Sequence, residues 1–465
     1  MANTQKYSTA YIMKWLFTIV LTVGIYLVPT SELFTPALRT FFCITVFIIL
    51  VCAFDFFDTI IPAILLPSLY LISGITPAAT AFGGWINTTS WMIFGAMVLA
   101  NILDDCKLLP RIAYWVILRC GGSFTAIMFG VFLAGVAMNL VTFCQAFILM
   151  MVFGYGIVKA LNLKAGSMPA ALLIFAAMLG GEGAPSSFMY NPGYLALAEA
   201  GIQQVIPEFT ATWYEMLIYN GIIMVFFLLF LFGLSKIYKT KDFKLEGGQE
   251  YFLSQYEALG PVSAAEKKAC VILVILFLYL ITSPWHNIPA AYGFMVLPYL
   301  LYLPGINVGT VSAVKRINYS IFFFIAGCLC IGTVGAYVGF GTLISSLVTP
   351  MLANTSPLIT FLVILFCGML CNLFMTPYAM MAGLSYPFAK IAVDLGINPM
   401  ATVMALVVST DMIFMPYEVA PYLLMYGFGM ITMKQFVSLN TVKTILTFVF
   451  FALVMYPMWA MLGLF

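Results

Sequence analysis

Two glutamates stand where a carboxylate is expensive. Glu182 and Glu418 each precede a proline by three residues inside a long apolar run. A carboxylate at the centre of a membrane helix costs ~2.5 kcal/mol or more, so one kept there is a candidate for carrying a proton or ion, or for pairing with a positively charged solute group. The bland alternative is that each sits at the membrane interface and caps the amides of its own loop. Around them, Gly180-Gly181-Glu182-Gly183-Ala184-Pro185 and Met415-Pro416-Tyr417-Glu418-Val419-Ala420-Pro421 interrupt helix, because proline lacks a backbone donor and glycine disfavours helix. Unwound backbone at membrane depth survives only against protein or a wet cavity. Gly183, Pro185, Tyr417, Val419 and Pro421 are therefore expected to line a solute site at the two breaks.

A second pair of polar clusters lies upstream of each break. The first holds Asn139, Thr142 and Gln145, the second Asn372, Thr376 and Tyr378. Each sits between two apolar arms, 122–138 and 146–158, then 358–371 and 379–389. Arms of ~12 to 17 residues are short for a full crossing, which predicts re-entrant hairpins with polar tips that contact a solute. The alternative is one continuous helix whose Asn and Thr bond to a neighbour. Asp411, after Ser409-Thr410, is placed to support the second site. Asp104, Asp105, Lys107 and Arg111 read as a solvated turn, and Lys159 and Lys390 as interface anchors.

The elements that must position these residues are membrane helices. Only 8% of the 465 residues are charged, against ~25% in a soluble domain. Residues 59–103, 120–158, 269–314 and 317–389 contain no Asp, Glu, Lys or Arg. A span needs ~20 apolar residues, so the chain is an all-α polytopic membrane protein, and its net charge of +2 offers nothing to a nucleic acid. The apolar run beginning near Trp15 lacks a cleavage site and reads as a retained first span. The single His and the ten Cys without a C-x-x-C pair exclude the usual zinc sites and thiol–His catalysis, so no enzyme, cofactor or metal is expected. The Cys read as small buried hydrophobes.

Residues 236–268 are the one long polar stretch, with six Lys near membrane spans, which places this linker in the cytoplasm. Lys6 and Lys14 place the N-terminus there too. The linker separates an N-terminal half, 1–235, with a hairpin near 122–160, from a C-terminal half, 269–465, with a hairpin near 358–393. The halves resemble each other. Glu182–Gly193 and Glu418–Gly429 agree at six of twelve positions, 236 apart. Asn139 and Thr142 match Asn372 and Thr376 at 233 and 234, and Ile86-Asn87 and Ser90 match Ile317-Asn318 and Ser320 at 231 and 230. Repeats with paired breaks, inverted if each has an odd number of crossings, are a signature of secondary transporters.

At these residues the chain resembles the divalent anion:sodium symporter family, which carries di- and tricarboxylates and sulfate. Ser90-Trp-Met-Ile-Phe-Gly-Ala-Met-Val-Leu-Ala100 with Arg111-Ile-Ala-Tyr is similar to the family's fourth-span region. Phe414-Met-Pro-Tyr-Glu-Val-Ala-Pro-Tyr422, then Tyr426-Gly-Phe-Gly429 and Met433-Lys434, is similar to its late binding loop. The resemblance implies eleven spans, two re-entrant hairpins, a cytoplasmic N-terminus and a homodimer in the cell membrane whose transport domains move as elevators. The family's hairpins carry Ser-Asn-Thr motifs that bind sodium and substrate carboxylates. Here the second hairpin reads Thr376-Pro377-Tyr378, the first Met138-Asn139-Leu140 or Val141-Thr142-Phe143, and Val419 stands where the loop Thr would be.

The leading expectation is a secondary active transporter of a small organic solute, first of all an organic anion such as a di- or tricarboxylate, coupled to H+ or Na+. Two other transport readings stand beside it: an ion/proton antiporter using Glu182 and Glu418, and a carrier of a solute with a positive group. A channel is disfavoured by the paired breaks.

Overall fold

The computed structural model describes residues 9–465 apart from 55, 59, 244–247, 287, 318, 353–354 and 374–375. Lys6 and Asn318 lie outside the described residues. Among these the chain is helical, without strands. Phe124–Thr142, Met168–Gln203 and Met433–Met461 are each long and apolar enough to cross a membrane, and nine shorter apolar helices accompany them.

The helices Met168–Met178 and Pro399–Ser409 form the centre. From Ala170 to Leu179 and from Met400 to Thr410 every residue is buried. A helix apolar on all faces belongs in the interior, and these two end at the two breaks. Each starts on a side-chain cap: Ser167 accepts from Ala170 N at 3.4 Å, and Asn398 from Met400 N at 2.9 Å. Periphery and centre contrast sharply. On the first helix, Thr9–Leu27, Met13, Val20 and Leu27 are exposed, as lipid-facing side chains are. The helix Ile60–Ile72 packs on Tyr319–Tyr337, where Phe41, Tyr70, Ile331 and Val334 form a separate small core.

Each half contains a helical hairpin followed by an interrupted helix. The first hairpin has arms Phe124–Thr142 and Phe147–Ala160, the second Pro357–Asn372 and Pro377–Asp394. The first arm, at 19 residues, is longer than the sequence suggests. Its last turn keeps helical geometry because its polar side chains bond back along the helix. Asn139 Nδ2 donates to Gly135 O at 3.0 Å and Thr142 Oγ1 to Met138 O at 2.9 Å.

The linker region is more ordered than a polar loop. It contains the helix Gly248–Ala258, which packs on Leu108–Cys120. Arg111, expected in a solvated turn, is buried there instead. Its Nε lies 2.5 Å from Glu266 Oε1 and its Nη1 donates to Gly260 O at 3.0 Å. Arg111 is buried because its guanidinium fork finds a carboxylate and loop carbonyls together. Asp105 pairs with Arg316, and Lys390 with Asp394 four residues on.

Candidate solute and ion site

The first junction begins with a missing donor. Pro185 has no N–H, so the carbonyl one helical turn earlier, at Gly181, loses its partner. The backbone answers with a π-turn over Leu179–Gly183, in which Ala184 N donates to Leu179 O. Helical angles persist through it, so this break stays wound. The stranded carbonyls are met from the hairpin. Asn139 Nδ2 donates to Gly181 O at 2.9 Å and reaches Gly180 O at 3.5 Å. The approach requires glycine: a Cβ on Gly135 would lie 2.5 Å from the Gly180 carbonyl carbon. Gly135 and Asn139 are four apart, on one helix face, so the glycine crossing brings the amide into reach. Asn139 also organises the tip, accepting from Ala146 N at 3.1 Å through Oδ1 and from Cys144 N at 3.0 Å through its carbonyl. Ser186 and Ser187 donate to Glu182 O and Gly183 O, both at 2.7 Å.

The second junction repeats this pattern with different parts. Asn372 Nδ2 donates to Ser409 O at 2.6 Å and to Met412 O at 3.3 Å. Gly368, four residues earlier, packs against Ser409. Here the backbone does unwind. Met415 and Val419 are extended around a short 3-10 turn at Pro416–Glu418, before the helix Ala420–Gly427.

These contacts set a register that differs from the motif alignment. Gly135 faces Gly180 and Gly368 faces Ser409. Gly180 and Ser409 are 229 positions apart, as are Glu182 and Asp411. By the glycine contacts, the counterpart of Glu182 is thus Asp411, and the second break holds seven additional residues, 412–418.

The charges follow the same register. Glu182 interacts electrostatically with Asp411. The two breaks touch there: a Cβ on Gly183 would meet Tyr422 Oη at 2.7 Å and both Asp411 carboxylate oxygens at 2.9 Å. Asp411 is fully engaged. Oδ1 accepts from Tyr422 Oη at 2.8 Å, and Oδ2 lies 2.7 Å from Lys443 Nζ, which is 1% exposed. Lys443 in turn acts on Glu418. Glu418 itself accepts from Phe414 N at 3.0 Å and Met415 N at 2.7 Å, capping its own loop. Glu182 is half-buried and accepts no side-chain hydrogen bond among the described residues. Tyr194, Tyr378 and Tyr422 all lie within its electrostatic reach, with Tyr194 and Tyr378 edge to face at 4.9 Å.

The family model described as the sodium:sulfate symporter transmembrane region matches residues 9–465. The chain belongs to that family. It is a membrane transporter and not an enzyme. No curated protein sequence matches significantly. Among solved structures, the fold is shared with the Alcanivorax borkumensis YdaH transporter, at 16% identity and a TM-score of 0.54 over 90% of this chain and 98% of that one. It is also shared with Neisseria gonorrhoeae MtrF, described as illuminating a class of antimetabolite efflux pumps, at 14% identity and a TM-score of 0.55 over 81% and 80%.

Within this family member the residues singled out from sequence take several positions. Asn139 and Asn372 hold breaks together rather than projecting free amides, although Asn372 Oδ1 is buried without a partner among the described residues. Thr142 bonds within its own helix, and Thr376 caps Pro377–Asp394 by accepting from Ala379 N at 3.5 Å. Gln145 Nε2 is buried and has no partner among the described residues. Cys144 donates to Pro185 O at 3.6 Å, and Val419 O accepts from Tyr422 N at 2.9 Å. Pro421 lies in the first turn of Ala420–Gly427. The Tyr417 side chain is outside the described residues. Glu182 and Glu418 are linked through Asp411 and Lys443 rather than facing each other as a pair.

Sequence reasoning missed Lys443, Tyr422 and Tyr194. A signal for Lys443 exists: Asn440, Lys443, Thr444 and Thr447 recur at three, four and seven residues in an apolar span, marking one buried polar face. A second missed signal is Gly-x-x-x-Asn, which occurs at Gly135–Asn139 and again at Gly368–Asn372.

Proposed function

We propose that this chain is a secondary active transporter of a small organic solute, an organic anion such as a di- or tricarboxylate being the first candidate. The two halves act as inverted repeats within a scaffold of about eleven spans. The hairpins and broken helices move together as an elevator in a homodimer in the cell membrane, with the N-terminus cytoplasmic. The observation that supports this most is the meeting of the two breaks at Gly183, Asp411 and Tyr422, beside the open carboxylate of Glu182. Interrupted helices from two repeats, converging on polar side chains, are how such carriers build a solute site. Asn139, Thr142, Gln145, Asn372, Thr376, Tyr378 and the backbone of Gly183, Pro185, Tyr417, Val419 and Pro421 surround it.

Coupling by protons rather than sodium suits the absence of Ser-Asn-Thr at the hairpins. Glu182, Asp411 and Glu418 outnumber Lys443, so an anionic solute enters this region together with protons. The same excess of carboxylates favours a second reading, a solute bearing a positive group, and export of antimetabolites in the manner described for MtrF falls within it. A thermal-shift screen of organic acids, amines and amino acids on purified protein separates the two, followed by uptake into proteoliposomes. Replacing sodium by choline is expected to leave the uptake rate within about twofold, which corresponds to less than ~0.5 kcal/mol in barrier. A steep, saturable sodium requirement would overturn proton coupling.

A further inference from the structure

We propose that the ammonium of Lys443 is a tethered cation, filling from within the protein the position beside Asp411 that a mobile sodium ion would otherwise occupy. The inference deepens the proposed transport function by naming what replaces the ion.

Lys443 lies on the helix Met433–Phe450, on the face shared with Asn440, Thr444 and Thr447, all buried. It reaches the second break at its unwound part. Thr444 Oγ1 donates to Ile413 O at 3.3 Å, so the helix is fixed against the same segment that carries Asp411. A sodium ion placed at Asp411 Oδ2 would stand against a like charge already 2.7 Å from that oxygen. The residues present therefore do not fit sodium there. They fit a compact unipositive charge that is already supplied, and a lysine ammonium is such a point charge.

A structural salt bridge is the simpler account, and two observations speak against it as sufficient. Buried ion pairs are poor stabilisers compared with apolar packing of equal volume. This pair is also incompletely satisfied. Among the described residues Lys443 Nζ has no acceptor besides Asp411 Oδ2, and Glu418 Oε2, within its electrostatic reach, is buried without a donor. An ammonium optimised for stability would use its three donors. One that stands in for an ion needs only its charge. A cation that cannot leave also cannot transmit a sodium gradient. Transport by this chain then draws on protons or on exchange against a second solute.

The test is whether removing the tether creates a sodium site. Wild type and Lys443→Ala are purified, and melting midpoints are followed against sodium chloride with choline chloride as the ionic-strength control. The proposal expects no sodium-specific shift in wild type, a saturable sodium-specific rise in Lys443→Ala, and loss of that rise in Lys443→Ala/Asp411→Asn. If Lys443→Ala does not fold alone, purification with sodium or ethylammonium should recover it, whereas choline should not. A saturable sodium shift in wild type overturns the proposal, and so does a folded Lys443→Ala that ignores sodium, or a misfolded one that neither small cation rescues. The readout is stability, so it stands whether or not the solute has been found.

Discussion

The two breaks solve one problem in two ways. Both leave carbonyls without helical partners, and both hand them to an Asn four residues after a glycine. The first break then stays wound, through a π-turn held by neutral donors from Asn139, Ser186 and Ser187. The second unwinds over seven additional residues and gathers Asp411, Lys443 and Glu418. A break closed by neutral hydrogen bonds leaves its carboxylate, Glu182, open. A break held by an ion pair has its carboxylate, Asp411, saturated. The halves thus divide the work: the second supplies a fixed electrostatic frame, and the first presents a free group to it.

The sharpest way to break this comparison is to remove half of the ion pair. Asp411→Asn or Lys443→Met leaves one charge buried, and such a loss costs ~3–5 kcal/mol. Without added cation, each single variant is expected to lose most of its folded yield and melting midpoint. Asp411→Asn/Lys443→Met should recover much of both. Equal damage in singles and double would mean that shape rather than charge holds the second break.

Gly183 is where the two breaks meet, and Gly183→Ala pushes a methyl group into Asp411 and Tyr422. Overpacking of this kind costs ~1–3 kcal/mol. Gly156→Ala is the control, because a Cβ there meets nothing within 4 Å. It should leave stability unchanged or raise it by up to ~1 kcal/mol. Melting in detergent reads both, and uptake should fall only for Gly183→Ala.

The Asn residues test whether the halves share their neutral part. Asn139→Ala strands Gly181 O and the tip amide of Ala146, at ~1–3 kcal/mol for each buried group left unpaired. Asn372→Ala strands Met412 O, while Ser409 O keeps the bond from Met412 N at 3.0 Å, and among the described residues no tip amide depends on it. Asn139→Ala is expected to lower the melting midpoint further, and to speed hydrogen exchange at Ala146. A larger effect at Asn372 would reverse the assignment of roles.

Much of this was legible in the sequence, for reasons tied to particular residues. Pro185 and Pro421 announce the breaks because a missing donor is a local fact. The hairpins are legible from apolar arms around Asn139 and Asn372. What the sequence concealed is register. The motif around Glu418 repeats the one around Glu182, yet the glycine crossings at Gly135 and Gly368 align Glu182 with Asp411. Side-chain similarity follows the helix after the break, whereas contact follows the helix before it, and seven residues separate the two. Arg111 reads as solvated because its partner Glu266 stands at the far end of the linker, 155 residues away. Charges that meet only through tertiary structure leave no spacing to read.

The smallest expected effect is also the most discriminating, since it separates the two glutamates that the sequence treats alike. Glu418 spends one oxygen on Phe414 N and Met415 N. Glu418→Gln keeps an acceptor there and exchanges charge-assisted bonds for neutral ones, a change of ~1 kcal/mol. Binding, uptake and the pH profile of uptake should all survive it. Glu182 makes no such bond, so Glu182→Gln should melt within ~0.5 kcal/mol of wild type, as substitutions away from structural contacts do. Its effect should fall on function instead. With Glu182, the carboxylate beside Asp411, made permanently neutral, uptake should lose its pH dependence if Glu182 carries the proton. Solute binding should fall if Glu182 pairs with a positive group. Measuring the thermal shift by solute and the pH profile of uptake on both single variants distinguishes these outcomes. If Glu182→Gln leaves both unchanged while Glu418→Gln abolishes transport, the open and the saturated break have been assigned the wrong way round.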